Sequence, residues 1–236
     1  GNQVDIDVMD VNHDGLLDVL ISNDDSNSQI YYGQGGMAFS AGESFLAADQ
    51  AMLSDLNADG FAEAIFRDGF SVRVYENVGG SYNGQVLEFI NGEEIVSFAM
   101  VDNNSFALGA GQSLNLVQFS GSALGETQVA RAGKSAAGQA SGDSAFIQLG
   151  DALPIEGISD IDVADLDGDM QPELVVASRH NAASEAIGAI NVIAVSDSGL
   201  SALTSFGDVA SHSVEVADFN GDGQADLLVG NDNGVY

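Results

Sequence analysis

The feature that most constrains this chain is a nine-residue acidic loop enclosed by two strand patterns. Its clearest copy begins at Asp218 and ends at Asp226, with oxygen-bearing side chains at the first, third, fifth and ninth positions and Gly223 at the sixth. Residues 214–217 alternate apolar and polar side chains before it, and the apolar run 227–229 follows it. Both patterns are typical of short β-strands. The sequence therefore predicts a unit of strand, loop and strand.

The same unit recurs, which indicates an architecture rather than an isolated motif. The four copies are the first loop (10–18), the second loop (55–63), the third loop (165–173) and the fourth loop (218–226), and three apolar residues follow each. Side-chain oxygens in alternation on a tight turn suit a hard cation that takes six to eight oxygen ligands. One such loop could be an acidic turn in solvent, but four copies in the same phase favour a repeated cation-binding unit.

The spacing of the loops predicts the fold class. Their first positions are separated by 45, 110 and 53 residues, so the middle interval holds two units. Four-stranded units of about 40–50 residues are typical of a β-propeller. A parallel solenoid of nine-residue repeats would need contiguous loops, which this chain lacks. The sequence predicts an all-β fold, a β-propeller of four-stranded antiparallel blades with about five visible blades, the last one incomplete.

The predicted strands follow the chain blade by blade. The strands of the first four blades are predicted at 4–8, 18–22, 29–32 and 37–39; at 51–54, 64–67 and 71–75, with a turn at 78–82; at 95–101, 106–108 and 114–119; and at 158–164, 174–177 and 190–194. The third blade has only the short turn 102–105, which cannot wrap a cation. The fifth blade begins at Val214 and stops in its third strand. The stretch 121–151 is an irregular insertion or an elaborated blade edge, with strand fragments at 128–131 and 145–149, and we favour the edge.

Composition limits the partners. Five Lys+Arg against 36 Asp+Glu give a formal net charge of −31, which excludes nucleic acid and anionic membrane surfaces as favourable partners. There is no cysteine, so bound cations could take the stabilising role of disulfides. No apolar run is long enough to insert directly into a membrane. The surplus acids suggest either a salt-adapted surface or simple solubility.

The pattern Asp-x-Asp/Asn-x-Asp-Gly-x-x-Asp between two strands resembles the FG-GAP (VCBS-type) repeat of integrin α subunits and many secreted bacterial proteins. The resemblance covers nearly the whole chain outside 121–151. It implies three or four calcium ions, each held by the first, third, fifth and ninth side chains and the seventh carbonyl. The implied ligands are Asp10, Asn12, Asp14, Leu16 and Asp18; Asp55, Asn57, Asp59, Phe61 and Glu63; Asp165, Asp167, Asp169, Gln171 and Glu173; and Asp218, Asn220, Asp222, Gln224 and Asp226.

The third loop departs from the pattern. Met170 stands where glycine is expected, and it would be strained if that position requires a positive φ. Asp167 adds a carboxylate that the other loops lack. We therefore expect this loop to bind its ion with a distorted turn. The expected role of calcium is structural, because the crowded carboxylates repel one another until a cation neutralises them.

Strand direction predicts a second face. Each first strand runs towards its loop, so each second strand runs back to the opposite rim. Arg67, Arg179 and His180 lie at second-strand ends and His212 at a first-strand start, in a chain with only five Lys+Arg. The resemblance places ligand-binding loops on that rim. We therefore hypothesise a protein or glycan ligand there; the alternative is that these bases pair with surface carboxylates.

The expected function is a non-catalytic adhesion or ligand-binding module, secreted or at the cell surface, from a bacterial and marine or salt-adapted source. The alternatives are the scaffold of a polysaccharide-active enzyme such as a lyase, with His180 and Arg179 as the place to look, or a structural unit of an adhesin or filament. Tyr31, Tyr32 and Tyr75 are predicted to pack between blades. We expect residues 1–236 to form a single propeller, either a closed five-bladed ring or a fragment of a longer protein with further domains.

Overall fold

A computed structural model of the chain describes residues 5–90, 92–119, 128–131, 146–179, 188–207, 211–231 and 234–235. These residues form 21 β-strands in five sheets, and the described part of the chain contains no helix. It accordingly holds no helix that could cross a membrane. Consecutive strands within each blade pair antiparallel, so the predicted all-β fold of antiparallel blades is confirmed.

The chain divides into two compact units, of which the first comprises residues 1–92 and 119–146. Its first blade pairs in chain order and consists of β1 (Ile6–Met9), β2 (Asp18–Ile21), β3 (Ser28–Gly33) and β4 (Phe39–Phe45). Its second blade consists of β5 (Gln50–Ser54), β6 (Glu63–Asp68), β7 (Ser71–Asn77) and β8 (Tyr82–Ile90). The predicted strand 37–39 is wrong in position, because Met37 takes a φ of 64° in the turn and β4 begins only at Phe39.

The second unit comprises residues 93–118 and 147–236. The core of the third blade consists of β9 (Ile95–Met100), β10 (Ser105–Ala110) and β11 (Ser113–Phe119). The fourth blade consists of β15 (Ile158–Ala164), β16 (Glu173–Ser178), β17 (Ile190–Ser196) and β18 (Gly199–Phe206). The fifth consists of β19 (Ser211–Ala217), β20 (Asp226–Asn231) and β21 (Gly234–Val235).

The stretch 121–151 supplies edge strands to two different blades. Its first fragment is β12 (Gln128–Arg131), which pairs parallel with β8 as a fifth strand of the second blade. Its second fragment is β13 (Phe146–Gln148), which pairs with β11; β14 (Leu153–Pro154) also pairs with that strand. Residues 121–127 and 132–145 lie outside the described residues, and the assignment of 1–236 to a single domain stays a prediction.

The second strands of the second, third and fourth blades are covered on both faces. All six residues of β10 and of β16 are buried, and β6 is buried except at Asp68. In the first unit, the ring of Phe45 lies 4.9 Å from that of Tyr75 and 5.0 Å from that of Phe66, and Tyr32 packs against the same cluster. Tyr32 and Tyr75 thus have the packing role that the sequence predicted for them.

Four aspartates connect the first strands of neighbouring blades. We call Asp5, Asp7, Asp160 and Asp162 the inter-blade carboxylates; each pair belongs to an identical Asp-Ile-Asp-Val segment. One oxygen of each accepts an N–H from the first strand of the next blade: from Ala51 at 3.2 Å, Leu53 at 2.7 Å, Val214 at 3.1 Å and Val216 at 2.6 Å. The other oxygen accepts the N–H of the next residue in its own strand. They thereby satisfy backbone donors at strand edges, where an unpaired group is costly.

Replacing Asp162 by alanine is expected to lower the free energy of unfolding by about 2 kcal/mol, because the N–H groups of Val163 and Val216 lose a charged acceptor. Urea denaturation in saturating calcium measures the change. The matched control is Asp197→Ala, at an exposed turn position between β17 and β18, which should cost less than about 0.5 kcal/mol. Equal losses in the two variants would contradict a bridging role.

Candidate metal loops and the opposite face

The four acidic loops share one pattern of hydrogen bonds. The first side chain accepts the N–H of the sixth residue at 3.0, 3.0, 3.0 and 2.8 Å in loop order. The third accepts the N–H of the fifth at 2.9, 2.9, 3.1 and 2.8 Å, and the fifth that of the seventh at 2.8, 2.8, 2.7 and 2.8 Å. Backbone amides thus hold the predicted side-chain ligands of all four loops on the same turn.

The ninth side chain closes each loop by accepting the N–H of the second residue. The donors are Val11 at 3.0 Å, Leu56 at 2.9 Å, Leu166 at 2.9 Å and Phe219 at 3.1 Å. Asp18, Glu63 and Glu173 are buried, whereas Asp226 is half-buried. Burial raises the pKa of Glu63 to about 7, and the N–H groups of Leu56 and Asn77 oppose that rise. A nearby cation would favour its ionised form.

Two positions of every loop take a positive φ, and the sequence pattern pointed to only one of them. The sixth residues are Gly15, Gly60, Met170 and Gly223, with φ of 84°, 94°, 69° and 83°. The fourth residues are His13, Ala58, Gly168 and Gly221, with φ of 59°, 58°, 81° and 79°. Met170 is therefore in the left-handed region, as its position predicted. Glycine at the fourth position of the third and fourth loops was the signal that could have identified this second position of positive φ.

Met170→Gly is expected to stabilise the protein by about 0.5–1 kcal/mol. Glycine removes the strain of a non-glycine residue in the left-handed region, and this gain outweighs the conformational entropy that glycine adds to the unfolded chain. The side chain is 86% exposed, so little apolar burial is lost. Urea denaturation in saturating calcium measures the gain. Gln171→Gly is the control, since residue 171 is not among those with positive φ and glycine there should only destabilise. A loss of stability in Met170→Gly would contradict the strain argument.

The third loop brings three carboxylates together. Asp165, Asp167 and Glu173 have oxygens within 4.8 Å of one another, the only such group of potential ligands found among the described residues. Asp169 instead accepts the N–H of Gln171. Three carboxylates at this separation repel one another unless a cation neutralises them. An acidic cluster with oxygen donors alone is suited to a hard divalent cation, and the residues present fit such an ion.

The opposite-face residues lie in different surroundings. In the first unit Arg67 is buried, and its guanidinium forms an ion pair with Asp49 at 3.2 Å. In the second unit Arg179 is exposed directly after β16, and His212 is half-buried at the second position of β19. Both are at strand ends away from the loops. His180 lies outside the described residues, and the ligand-binding role of all four stays a prediction.

Two comparisons with known sequences bear on the family. A family model described as "FG-GAP-like repeat" matches residues 165–229, which contain the third and fourth loops. No curated protein sequence matches the chain.

The solved structures that match this chain include the following two. One is the Tc holotoxin pore of Photorhabdus luminescens, at 16% identity and a TM-score of 0.45, covering 95% of this chain. This chain spans only 10% of the length of that toxin chain. The other is BBS1N in complex with ARL6DN, at 12% identity and a TM-score of 0.49, covering 98% of this chain and 78% of that one. The chain is an all-β protein of antiparallel blades, and its residues 165–229 match the FG-GAP-like repeat.

Proposed function

We propose that the chain is an extracellular, calcium-stabilised β-propeller module for adhesion or ligand binding. The observation that carries the proposal is the fourfold repetition of one turn, in which alternating side-chain oxygens are held by the same backbone amides. Calcium fits better than magnesium, because calcium accepts six to eight oxygens in flexible geometry whereas magnesium requires a near-ideal octahedron. When bound, the ion would neutralise the loop carboxylates and contribute its binding free energy to folding.

The calcium count tests this proposal directly. Native mass spectrometry of the whole chain is expected to show three or four calcium ions. The double variant Asp165→Asn/Asp167→Asn should lose one of them, because it removes two of the three clustered carboxylates. The control Asp151→Asn/Asp197→Asn makes the same change in charge at two exposed positions outside the loops and should keep the full count. A chain that binds no calcium at millimolar concentration would refute the proposal.

The ligand is proposed to bind on the face opposite the loops. Two basic residues of the second unit support this, because Arg179 is exposed and His212 half-exposed in a chain of net charge −31. A polar or anionic protein or glycan ligand would gain most there, since the rest of the surface repels anions. We also propose that the chain is secreted and that its acidic surface is adapted to salt.

Screening the labelled, calcium-loaded chain against glycan and extracellular-protein arrays would identify a ligand. Arg179→Glu should then weaken binding at least tenfold, whereas Ser198→Glu, at an exposed turn position between β17 and β18, is the control and should leave binding unchanged. Unchanged binding in Arg179→Glu would contradict the assignment of this face. No contact among the described residues favours the lyase or filament alternatives, and both stay predictions.

A further inference from the structure

The first and second loops are joined by one buried side chain, Asn77 at the end of β7. Asn77 is fully buried, and its Nδ2 donates to the carbonyl of Val11 in the first loop at 2.9 Å. The same nitrogen donates to the carbonyl of Ala62 in the second loop at 3.1 Å. Its Oδ1 accepts the N–H of Gly80 at 2.9 Å. The two amide protons are thus divided between the two loops, one to each.

Two further contacts join the first loop to the second blade. The imidazole of His13, at the fourth position of the first loop, stacks on the ring of Phe61, at the seventh position of the second, with centroids 4.6 Å apart and planes at 24°. Gly80 lies so close to Asn12 that an added Cβ would be 3.1 Å from its Cα. Three consecutive residues of the first loop therefore contact the second blade.

We infer that the first and second metal sites are coupled, so that a cation in either loop raises the cation affinity of the other. The contacts that carry the coupling are those of Asn77, His13 and Phe61, which we call the loop bridge. This inference rests on the proposed calcium binding, and it concerns how two of the sites act together rather than whether they exist.

The physical reason lies in which peptides Asn77 holds. Val11 follows the predicted ligand Asp10, and its N–H donates to Asp18. Ala62 stands between Phe61, whose carbonyl is a predicted ligand, and Glu63. Carboxylate repulsion that opens either metal-free loop would remove an acceptor from the buried Asn77 amide, and an unsatisfied buried donor is costly. A cation that closes one loop therefore lowers the cost of closing the other, which is positive coupling.

The experiment follows two glycine amides in a ¹⁵N-labelled full-length chain during a titration with calcium chloride. Gly15 reports the first loop and Gly60 the second, since each donates its N–H to the first side chain of its own loop. Asp59→Ala disables the second loop, and it is expected to weaken calcium binding at Gly15 about fivefold or more, although every ligand of the first loop is retained. Asp222→Ala, which disables the fourth loop, should change the affinity at Gly15 less than twofold.

Two variants test the loop bridge itself. In a chain that also carries Asn77→Ala, Asp59→Ala should weaken calcium binding at Gly15 less than twofold. Because Asn77 is buried and its replacement could prevent folding, His13→Gly provides a second test. Glycine occupies the same position in the third and fourth loops, so this variant removes the ring stack without straining the turn. His13→Gly should reduce at least twofold the loss of calcium affinity that Asp59→Ala causes at Gly15. An unchanged loss of affinity would overturn the assignment of the loop bridge.

The titration separates failure of the coupling from failure of the proposed function. If Gly15 and Gly60 in the unaltered chain do not respond to millimolar calcium, the calcium proposal fails and the coupling with it. If both respond, but the calcium affinity of the first loop, as reported by Gly15, is the same in the unaltered chain and in Asp59→Ala, the two sites are independent. Only the coupling is then refuted. A fall in the calcium affinity reported by Gly15 in Asp59→Ala, but not in Asp222→Ala, would support the coupling.

Discussion

Removing calcium with excess chelator is expected to lower the melting temperature of the chain by about 15–45 °C, because each bound ion stabilises the folded chain. Each site filled at about 100 times its Kd stabilises the fold by about 2.7 kcal/mol. Three or four such sites contribute about 8–11 kcal/mol, and each kcal/mol shifts Tm by about 2–4 °C in a chain of this size. Thermal unfolding followed by circular dichroism, in millimolar calcium and in chelator, measures the effect.

The control for this melt is magnesium at the same concentration. It should restore much less of the lost Tm, because magnesium demands octahedral geometry and gives up its water reluctantly. The same Tm in calcium and in chelator would mean that the loops are acidic turns held by their backbone amides alone. Equal recovery with magnesium would contradict the preference for calcium.

Asp18→Ala is expected to cost about 3–5 kcal/mol in saturating calcium, the largest loss of any single loop residue. Asp18 is fully buried, and its two oxygens accept the N–H of Val11 at 3.0 Å and of Gly33 at 2.8 Å. Alanine leaves both donors without their acceptor in the protein interior, at about 1–3 kcal/mol each, and removes one predicted ligand. Urea denaturation measures the change in unfolding free energy.

The matched control is Asp226→Ala, at the ninth position of the fourth loop. Asp226 is also a predicted ligand, but it is half-buried and accepts one backbone N–H, that of Phe219 at 3.1 Å. Its replacement removes the same kind of ligand and should cost less by about 2 kcal/mol. Equal losses would show that Asp18 acts only through the metal and that its bond to Gly33 contributes nothing.

The loops could be predicted closely from the sequence because their chemistry is local. Alternating oxygens and a glycine at the sixth position specify the turn within nine residues, and the structure holds all four copies by the same bonds. The strain at Met170 followed from its position for the same reason. The identity and number of bound ions stay predictions, as does the role of the opposite face.

Contacts between segments far apart in the chain were not predictable in this way. The parallel pairing of β12 with β8 joins residues about 40 positions apart, and a four-residue strand carries no information about its partner. Arg67 has the pattern of an exposed strand end, yet its guanidinium is buried against Asp49. Asn77 ends an ordinary strand pattern and only the folded chain reveals that it joins two loops.

By itself the sequence determined the strand–loop–strand period, the all-β class and the positions that could bind a cation, because alternation and turn chemistry act over a few neighbouring residues. Only the tertiary structure decided that the inter-blade carboxylates satisfy the backbone of the next blade. The inter-blade carboxylates and the loop carboxylates are the same residue type, a few positions apart on the same strand and turn. What separates their roles is the packing of one blade on another, and that packing depends on strand register and burial rather than on local pattern.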